Sequence, residues 1–130
     1  MKILLIKFGA LGDVLRTTSL LPGLKEKYKD AQVYWLTQKN AEPLLAHNLC
    51  IAEVIIYGTE KRAWLLATSF DLIINLEEDF EACSLATKAK KKELIGFYLD
   101  NEKNIAPTST MREWYNMSAL GKKPENDILK

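Results

Sequence analysis

The chain has 130 residues, which suffice for one ordinary domain and are too few for two full ones. Hydrophobic residues make up 48% and charged residues 27%, a balance typical of folded globular domains rather than disordered chains. Lys and Arg number 18 against 17 Asp and Glu, so the net charge of +1 predicts no nucleic-acid partner.

The chain opens on a predicted strand, a glycine-containing turn and a helix. Residues 3–6 form a continuous apolar run, as in a strand that is covered on both faces of a parallel sheet. Gly9 and Gly12 bracket the predicted turn, and Asp13 stands where the N-cap of the next helix is expected. In an open α/β sheet the loop after the first strand borders the ligand crevice, so any reactive centre is expected here.

Strands and helices alternate along the rest of the chain. A helical pattern over 13–29, interrupted near Pro22, precedes a β-branched and aromatic strand at 31–37. The remaining predicted elements are strands at 53–57, 71–76 and 93–98 and helices at 42–47, 60–69 and 79–91. This alternation predicts right-handed βαβ units, and therefore an α/β fold with a Rossmann-like, doubly wound parallel sheet.

The C-terminal part of the chain carries a loop and one more helix. Residues 99–108 contain several turn formers and are predicted to be a loop. Thr110 and Glu113 match a capping box, which predicts a helix that ends near Gly121. We therefore predict one domain over 1–121, followed over 122–130 by a polar tail or the start of an interdomain linker.

Cysteine and histidine are too few and too far apart for a metal site. Cys50, Cys83 and His47 form no CxxC pair, whereas zinc needs about four ligands at close spacing. We predict free thiols in a reducing cytoplasm rather than a disulfide. The apolar run over 3–6 is too short for a secretion signal or a membrane span, which indicates a cytosolic chain and leaves peripheral contact at the inner face of the membrane open.

Two phosphate-binding motifs are excluded at the glycine turn. A P-loop requires GxxxxGK[ST], and a dinucleotide fingerprint requires GxGxxG; neither follows Gly9 or Gly12. A carboxylate at Asp13 would also repel a pyrophosphate at the mouth of the helix. Asp13 is then either a plain helix cap or a reactive carboxylate, the latter favoured by the nearby cations Lys7 and Arg16.

The string from Lys7 to Thr18, KFGALGDVLRTT, resembles the N-terminal signature of glycosyltransferase family 9, the heptosyltransferases of lipopolysaccharide core synthesis. The tripeptide at 20–22 and the strand at 31–37 follow that family's order, and residues 113–117 resemble the helix near the end of its first domain. The resemblance covers essentially the whole chain. It implies a GT-B fold of two Rossmann-like domains, of which this chain would be the N-terminal, acceptor-side half.

The resemblance implies an inverting transfer of a hexosyl or heptosyl group, with no metal or other cofactor. Asp13 matches the family's general base, which removes the proton from an acceptor hydroxyl that attacks the anomeric carbon. The nucleotide-sugar donor would bind to a C-terminal domain that lies outside this chain, so little or no activity is expected from the chain alone. The acceptor would be a glycan or a lipid-linked saccharide. The residues expected to bind it are Lys7, Gly9, Gly12, Arg16, Glu77 and Glu78.

The sequence departs from the family after the fourth predicted strand. Residues 75–81, NLEEDFE, carry four carboxylates where heptosyltransferases with anionic acceptors tend to have a glutamine-glycine stretch followed by a lysine. Carboxylates beside the crevice would repel a phosphorylated acceptor, which favours a neutral or cationic saccharide. The alternative interpretation is an acidic first turn that complements the dipole of the following helix.

Two other functions remain open on the sequence. One is a non-catalytic Rossmann-like module that pairs with a separate donor-binding chain. The other is a sugar-nucleotide epimerase or another GT-B relative with the same turn. A donor domain in the same reading frame favours the transferase, whereas tight binding of a nucleoside diphosphate by the chain alone would contradict an acceptor-side half.

Overall fold

A computed structural model describes residues 1–58 and 61–111 of the chain. In chain order its elements are β1 (Lys2–Ile6), α1 (Leu11–Thr17), α2 (Leu20–Lys27), β2 (Gln32–Thr37), a 3-10 turn (Lys39–Ala41), α3 (Glu42–Leu45), β3 (Glu53–Ile56), α4 (Arg62–Ala67), β4 (Ser69–Asn75), α5 (Phe80–Lys88), β5 (Lys90–Leu99) and β6 (Ile105–Pro107). The predicted helix beyond residue 111, the string at 113–117, the domain end at 121 and the tail over 122–130 lie outside the described residues.

The strands of the described residues form one sheet in the order β3-β2-β1-β4-β5-β6. Strands β1 to β5 pair in parallel, whereas β6 pairs antiparallel with β5. The chain thus adds β2 and β3 on one side of β1 and then returns to add β4 on the other side. This reversal makes the carboxyl ends of β1 and β4 the topological switch point of the sheet, where ligands bind in open α/β folds.

Helices cover both faces of the sheet because successive strand residues point to opposite faces. One core cluster joins Ile3 and Leu5 of β1 to helices α1, α2 and α3. The other joins Leu4 and Ile6 to helices α4 and α5. All four of these β1 side chains are buried. The predicted Rossmann-like, doubly wound α/β fold is therefore confirmed.

Strand β6 corrects the prediction of a plain loop over 99–108. Asp100 Oδ1 accepts hydrogen bonds from the N–H groups of Glu102 and Asn104, and Lys103 adopts a positive φ of 66°. This turn reverses the chain and lays three residues antiparallel to β5, which makes the described sheet mixed rather than wholly parallel. The turn formers in the sequence thus belong to a hairpin between β5 and β6. Strand β6 ends on Pro107, which has no N–H to donate and is tolerated here because β6 lies at the edge of the described sheet.

Candidate active site at the switch point

The turn after β1 lies at the switch point and is fixed from both neighbouring strands. Lys7 N–H donates to Leu36 O of β2 at 3.1 Å, and Trp35 Nε1–H donates to Lys7 O at 3.2 Å. From the other side, Phe8 N–H donates to Glu77 Oε2 at 2.7 Å. Because Glu77 follows β4, these bonds connect the turn to both strands that pair with β1.

The two glycines of this segment occupy different environments. Gly9 has a φ of +83°, a left-handed backbone conformation that favours glycine. Gly12 lies instead inside the first turn of α1, and apart from its chain neighbours and its own helix backbone no atom lies within 4 Å of the position that its Cβ would take. The turn therefore needs Gly9 for its backbone, whereas Gly12 leaves an open surface beside Asp13.

Asp13 is an exposed residue of the first turn of α1 and not its N-cap. Helix α1 begins at Leu11, and its N-cap is Ala10, which makes no side-chain cap hydrogen bond. The Asp13 carboxylate pairs with Arg16, with Oδ1 and Nη1 2.9 Å apart and the two side chains 51% and 73% exposed. The predicted cap is wrong because the helix starts three residues earlier than the capping residue type suggested.

Lys7 pairs with Glu77 rather than with Asp13. Its Nζ lies 3.2 Å from Glu77 Oε2, and the two side chains are 19% and 15% exposed. Of the two cations that the sequence suggested as company for Asp13, Arg16 is the one in contact with it. Five of the six predicted acceptor residues thus fall into two groups, with Lys7, Gly9 and Glu77 at the turn and Gly12 and Arg16 on α1 with Asp13. The sixth, Glu78, is exposed in the loop after β4.

Asn75, at the end of β4, fixes the loop that carries Glu77. It is fully buried, its Nδ2 donates to Phe97 O at 2.9 Å, and its Oδ1 accepts from Glu77 N–H at 3.0 Å. Gly96 of β5 has a φ of +118°, and a Cβ at this position would overlap the Asn75 carbonyl group. Sequence reasoning missed both residues, although a polar side chain at the end of an apolar strand beside the crevice was an available signal.

Cys83 of α5 packs against the same loop and has no features of a nucleophile. Its Sγ lies 3.4 Å from Glu77 O and 3.6 Å from Asn75 Nδ2. Burial, followed by the nearby carboxylates, raises the pKa of the Cys83 thiol, which keeps it neutral and able to donate to the Glu77 carbonyl. Cys83 and Cys50 are both free thiols, as predicted.

The acidic segment after β4 divides into separate roles. Glu77 points to the turn, whereas Asp79 is the N-cap of α5 and its Oδ2 accepts from Ala82 N–H at 3.0 Å. Glu81 lies in the first turn of α5, and Glu78 and Glu81 are exposed. The expectation of an acidic helix start therefore fits Asp79 and Glu81, and only part of the segment is left to face the crevice.

An open pocket of about 370 Å³ adjoins the turn, between the ends of β2 and β3 and helices α4 and α5. Its apolar lining consists of Leu36, Ile56, Leu65 and Leu85, and its polar lining includes Tyr57, Lys61, Arg62 and Glu81. The Tyr57 ring contacts the Phe8 ring, with centroids 5.0 Å apart, which places the pocket beside the glycine turn. Burial and the carboxylate of Glu81 raise the pKa of Tyr57, so its hydroxyl remains a donor toward Glu81 Oε1 at 3.4 Å.

Within residues 1–58 and 61–111, no group of three or more His, Cys, Asp and Glu side chains is placed to hold a metal ion. No helix in that part of the chain is long and apolar enough to cross a bilayer.

Solved glycosyltransferases have a similar fold. Escherichia coli heptosyltransferase WaaC with ADP matches with a TM-score of 0.66 and 17% identity, over 98% of this chain and 50% of that one. The glycosyl transferase family 9 protein from Veillonella parvula matches with a TM-score of 0.62 and 20% identity, over 73% of this chain and 31% of that one. E. coli ADP-heptose lipopolysaccharide heptosyltransferase II matches with a TM-score of 0.58 and 26% identity, over 65% of this chain and 27% of that one.

This chain spans about half the length of the WaaC structure and less of the other two. No protein-family model matches the chain, and no curated protein is significantly similar to it in sequence. The similarity to family 9 glycosyltransferases that the string KFGALGDVLRTT suggested is confirmed at the level of the fold. The described chain has the Rossmann-like α/β fold of a GT-B glycosyltransferase domain.

Proposed function

We propose that this chain is the acceptor-side domain of an inverting glycosyltransferase, which transfers a hexosyl or heptosyl group from a nucleotide-sugar to a saccharide. The observation that carries the proposal is the position of Asp13. Its carboxylate is exposed on the first turn of α1, directly after the glycine turn that leaves β1 at the switch point. The fold of family 9 glycosyltransferases supports this assignment.

Asp13 acts in this proposal as the general base. Its carboxylate takes the proton of an acceptor hydroxyl while that oxygen bonds to the anomeric carbon of the donor. The bond from that carbon to the phosphate oxygen breaks on the opposite face, so the nucleoside diphosphate leaves and the configuration inverts. Because the pair with Arg16 is exposed, it holds the carboxylate only weakly, and an incoming hydroxyl can displace the guanidinium.

The acceptor is proposed to lie over Gly12 and to extend toward the pocket beside Tyr57. The missing side chain at Gly12 lets a sugar ring approach Asp13. The pocket combines an apolar lining with a few polar groups, the composition typical of small-molecule sites. Since Glu78 and Glu81 are exposed at this edge, the proposal favours an acceptor without a negative charge beside them.

The donor is proposed to bind to a second domain, across the cleft from Asp13. WaaC has been solved with ADP and with ADP-2-deoxy-2-fluoro heptose, and this chain spans about half of either structure. By analogy, the donor of this enzyme is a nucleotide-sugar. Tight binding of a nucleoside diphosphate to the 130-residue chain alone would contradict the assignment as an acceptor-side domain.

Substitution of Asp13 tests the proposal in the full enzyme. Asp13→Ala is expected to lower the transfer rate by about 10²- to 10⁴-fold, the usual contribution of a general base. The melting temperature is expected to stay unchanged, because an exposed ion pair stabilises a fold by at most about 1 kcal/mol. Glu26→Gln, which removes an exposed carboxylate from α2, is the matched control and should transfer at the normal rate. Near-normal turnover of Asp13→Ala would rule out Asp13 as the base.

A further inference from the structure

Glu77 connects the loop after β4 to the turn after β1. Its Oε2 accepts the Phe8 N–H at 2.7 Å and lies 3.2 Å from Lys7 Nζ. The side chain is 15% exposed, and charge-assisted hydrogen bonds are strong where little water competes for them. One residue earlier, Leu76 N–H donates to Ile6 O, so β4 and β1 stay connected up to this point.

The backbone of Glu77 is fixed as well. Its N–H donates to Asn75 Oδ1 at 3.0 Å, and its carbonyl accepts from Cys83 Sγ at 3.4 Å. Asn75 in turn is bound to Phe97 O on β5. Because both its backbone and its carboxylate have partners, Glu77 would have to break several hydrogen bonds to reach a ligand.

We propose that Glu77 is a positioning residue, which holds the glycine turn so that Asp13 faces the acceptor, and that it does not bind the acceptor itself. Phe8 directly precedes Gly9, whose positive φ turns the chain into α1. The path into α1 therefore depends on where the Phe8 N–H is held. Helix α1 has no side-chain cap at Ala10 that would hold its start independently. This inference rests on the proposed role of Asp13.

The same contact changes the role expected for Lys7. Its ammonium is paired with Glu77, and its side chain is 19% exposed. An anionic acceptor would have to compete with a carboxylate that is already in place and hydrogen-bonded to the backbone. Lys7 and Glu77 are thus assigned to the support of the turn, and acceptor contacts are left to α1 and the pocket.

Amide hydrogen exchange in the 130-residue chain tests this role without any need for activity. Glu77→Ala is expected to speed the exchange of the Phe8 amide at least about tenfold relative to that of Leu5 in β1, because the Phe8 N–H loses a charged acceptor. Glu77→Gln is expected to restore most of the protection, since its amide oxygen can accept the same N–H. Glu78→Gln removes the neighbouring exposed charge and is expected to leave both amides unchanged.

Equal exchange of the Phe8 amide in Glu77→Ala and the unaltered chain would overturn the proposal, and so would an equally large effect of Glu78→Gln. In the full enzyme, Glu77→Ala is expected to lower kcat about tenfold to a hundredfold through misplacement of Asp13, with less than about a twofold change in the acceptor KM. A raised acceptor KM with normal kcat would instead make Glu77 an acceptor ligand. If the unaltered enzyme transfers no sugar, the proposed function fails, whereas the exchange result still decides the role of Glu77.

Discussion

Two ion pairs flank the turn after β1, one largely buried and one exposed. The inner pair, Lys7 with Glu77, is 19% and 15% exposed and shares its carboxylate with a backbone N–H of the turn. The outer pair, Asp13 with Arg16, is 51% and 73% exposed and joins two residues of one short helix. Loss of one partner of a buried pair leaves a poorly solvated charge, whereas an exposed pair loses little.

This difference assigns the support of the turn to the inner pair and the proposed reaction to the outer pair, although Lys7 and Asp13 are close in sequence. The inner pair rests on Asn75 and on the close packing of Gly96, so changes there are expected to alter stability. The outer surface has an open position at Gly12 and a weakly held carboxylate at Asp13, so changes there are expected to alter transfer with little loss of stability. Substitutions on the two sides can therefore test the division directly.

The largest expected effect lies beneath the inner pair, at Gly96. Gly96→Ala is expected to lower the free energy of unfolding by about 3 kcal/mol or more, because the new Cβ would overlap the Asn75 carbonyl and the φ of +118° strains any side chain. Denaturation in urea measures the change. Gly23→Ala in α2, where no atom lies within 4 Å of the new Cβ, is the control without a clash. A loss below about 1 kcal/mol at Gly96 would mean that β4 and β5 can separate at this point.

The next prediction compares the two cations, Lys7 of the inner pair and Arg16 of the outer pair. Lys7→Met leaves the Glu77 carboxylate without its ammonium in a site that is mostly dry, and we expect a loss of about 1–2 kcal/mol in stability. Arg16→Met breaks the outer pair and is expected to change stability by at most about 0.5 kcal/mol. Parallel urea titrations of the two variants give both values. Equal losses would remove the distinction between the pairs.

A smaller effect, of opposite sign, is expected at Gly12. Alanine is favoured over glycine in a helix, so Gly12→Ala is expected to raise the free energy of unfolding by up to about 1 kcal/mol. The added methyl group stands where the acceptor is proposed to approach, so the transfer rate is expected to fall. Gly23→Ala, in the equally open position on α2, should stabilise the chain without slowing transfer. A Gly12→Ala enzyme with a normal acceptor KM and kcat would move the acceptor away from this surface.

The smallest effect is expected at the amino-terminal ends of β1 and β4, opposite the switch point. The Lys2 N–H, at 2.8 Å from Asp71 Oδ2, lowers the pKa of the Asp71 carboxyl below its ordinary value, and the Lys92 ammonium adds to this. A lowered folded-state pKa stabilises the fold above the unfolded-state pKa of about 4, and this contribution is lost as the pH falls through the folded-state value. Asp71→Asn is therefore expected to be less stable than the unaltered chain at pH 7 and to match it in strong acid. A difference that is independent of pH would contradict this linkage.

The sequence predicted the parts of the site that depend on local patterns. The apolar run of β1, the turn at Gly9 and the break before α2 all follow from residues within one segment. The pairing of Lys7 with Glu77 was not predictable in this way, because it joins residues 70 apart in the chain and depends on β4 lying beside β1. Strand order, and with it the switch point, is a property of long-range pairing that periodicity does not report.

The expected cap at Asp13 shows why local rules also failed within the turn. Asp is a common N-cap, yet the bonds of Lys7 and Phe8 to neighbouring strands fix the chain so that α1 begins at Leu11. Tertiary contacts thus placed Asp13 inside the helix. The acidic segment was likewise predicted as one cluster, and its members separate because Glu77 faces the turn while Asp79 caps α5.

The buried indole of Trp35 allows changes in the turn to be followed by fluorescence. Its Nε1–H donates to Lys7 O at 3.2 Å, and the ring is fully buried in the core cluster that β1 and β2 share with helices α1 to α3. With Trp64 and Trp114 replaced by Phe, fluorescence from Trp35 would report the polarity and hydrogen bonding at one end of the turn. Acceptor binding that displaces the turn would then shift the emission of a residue that never meets the ligand.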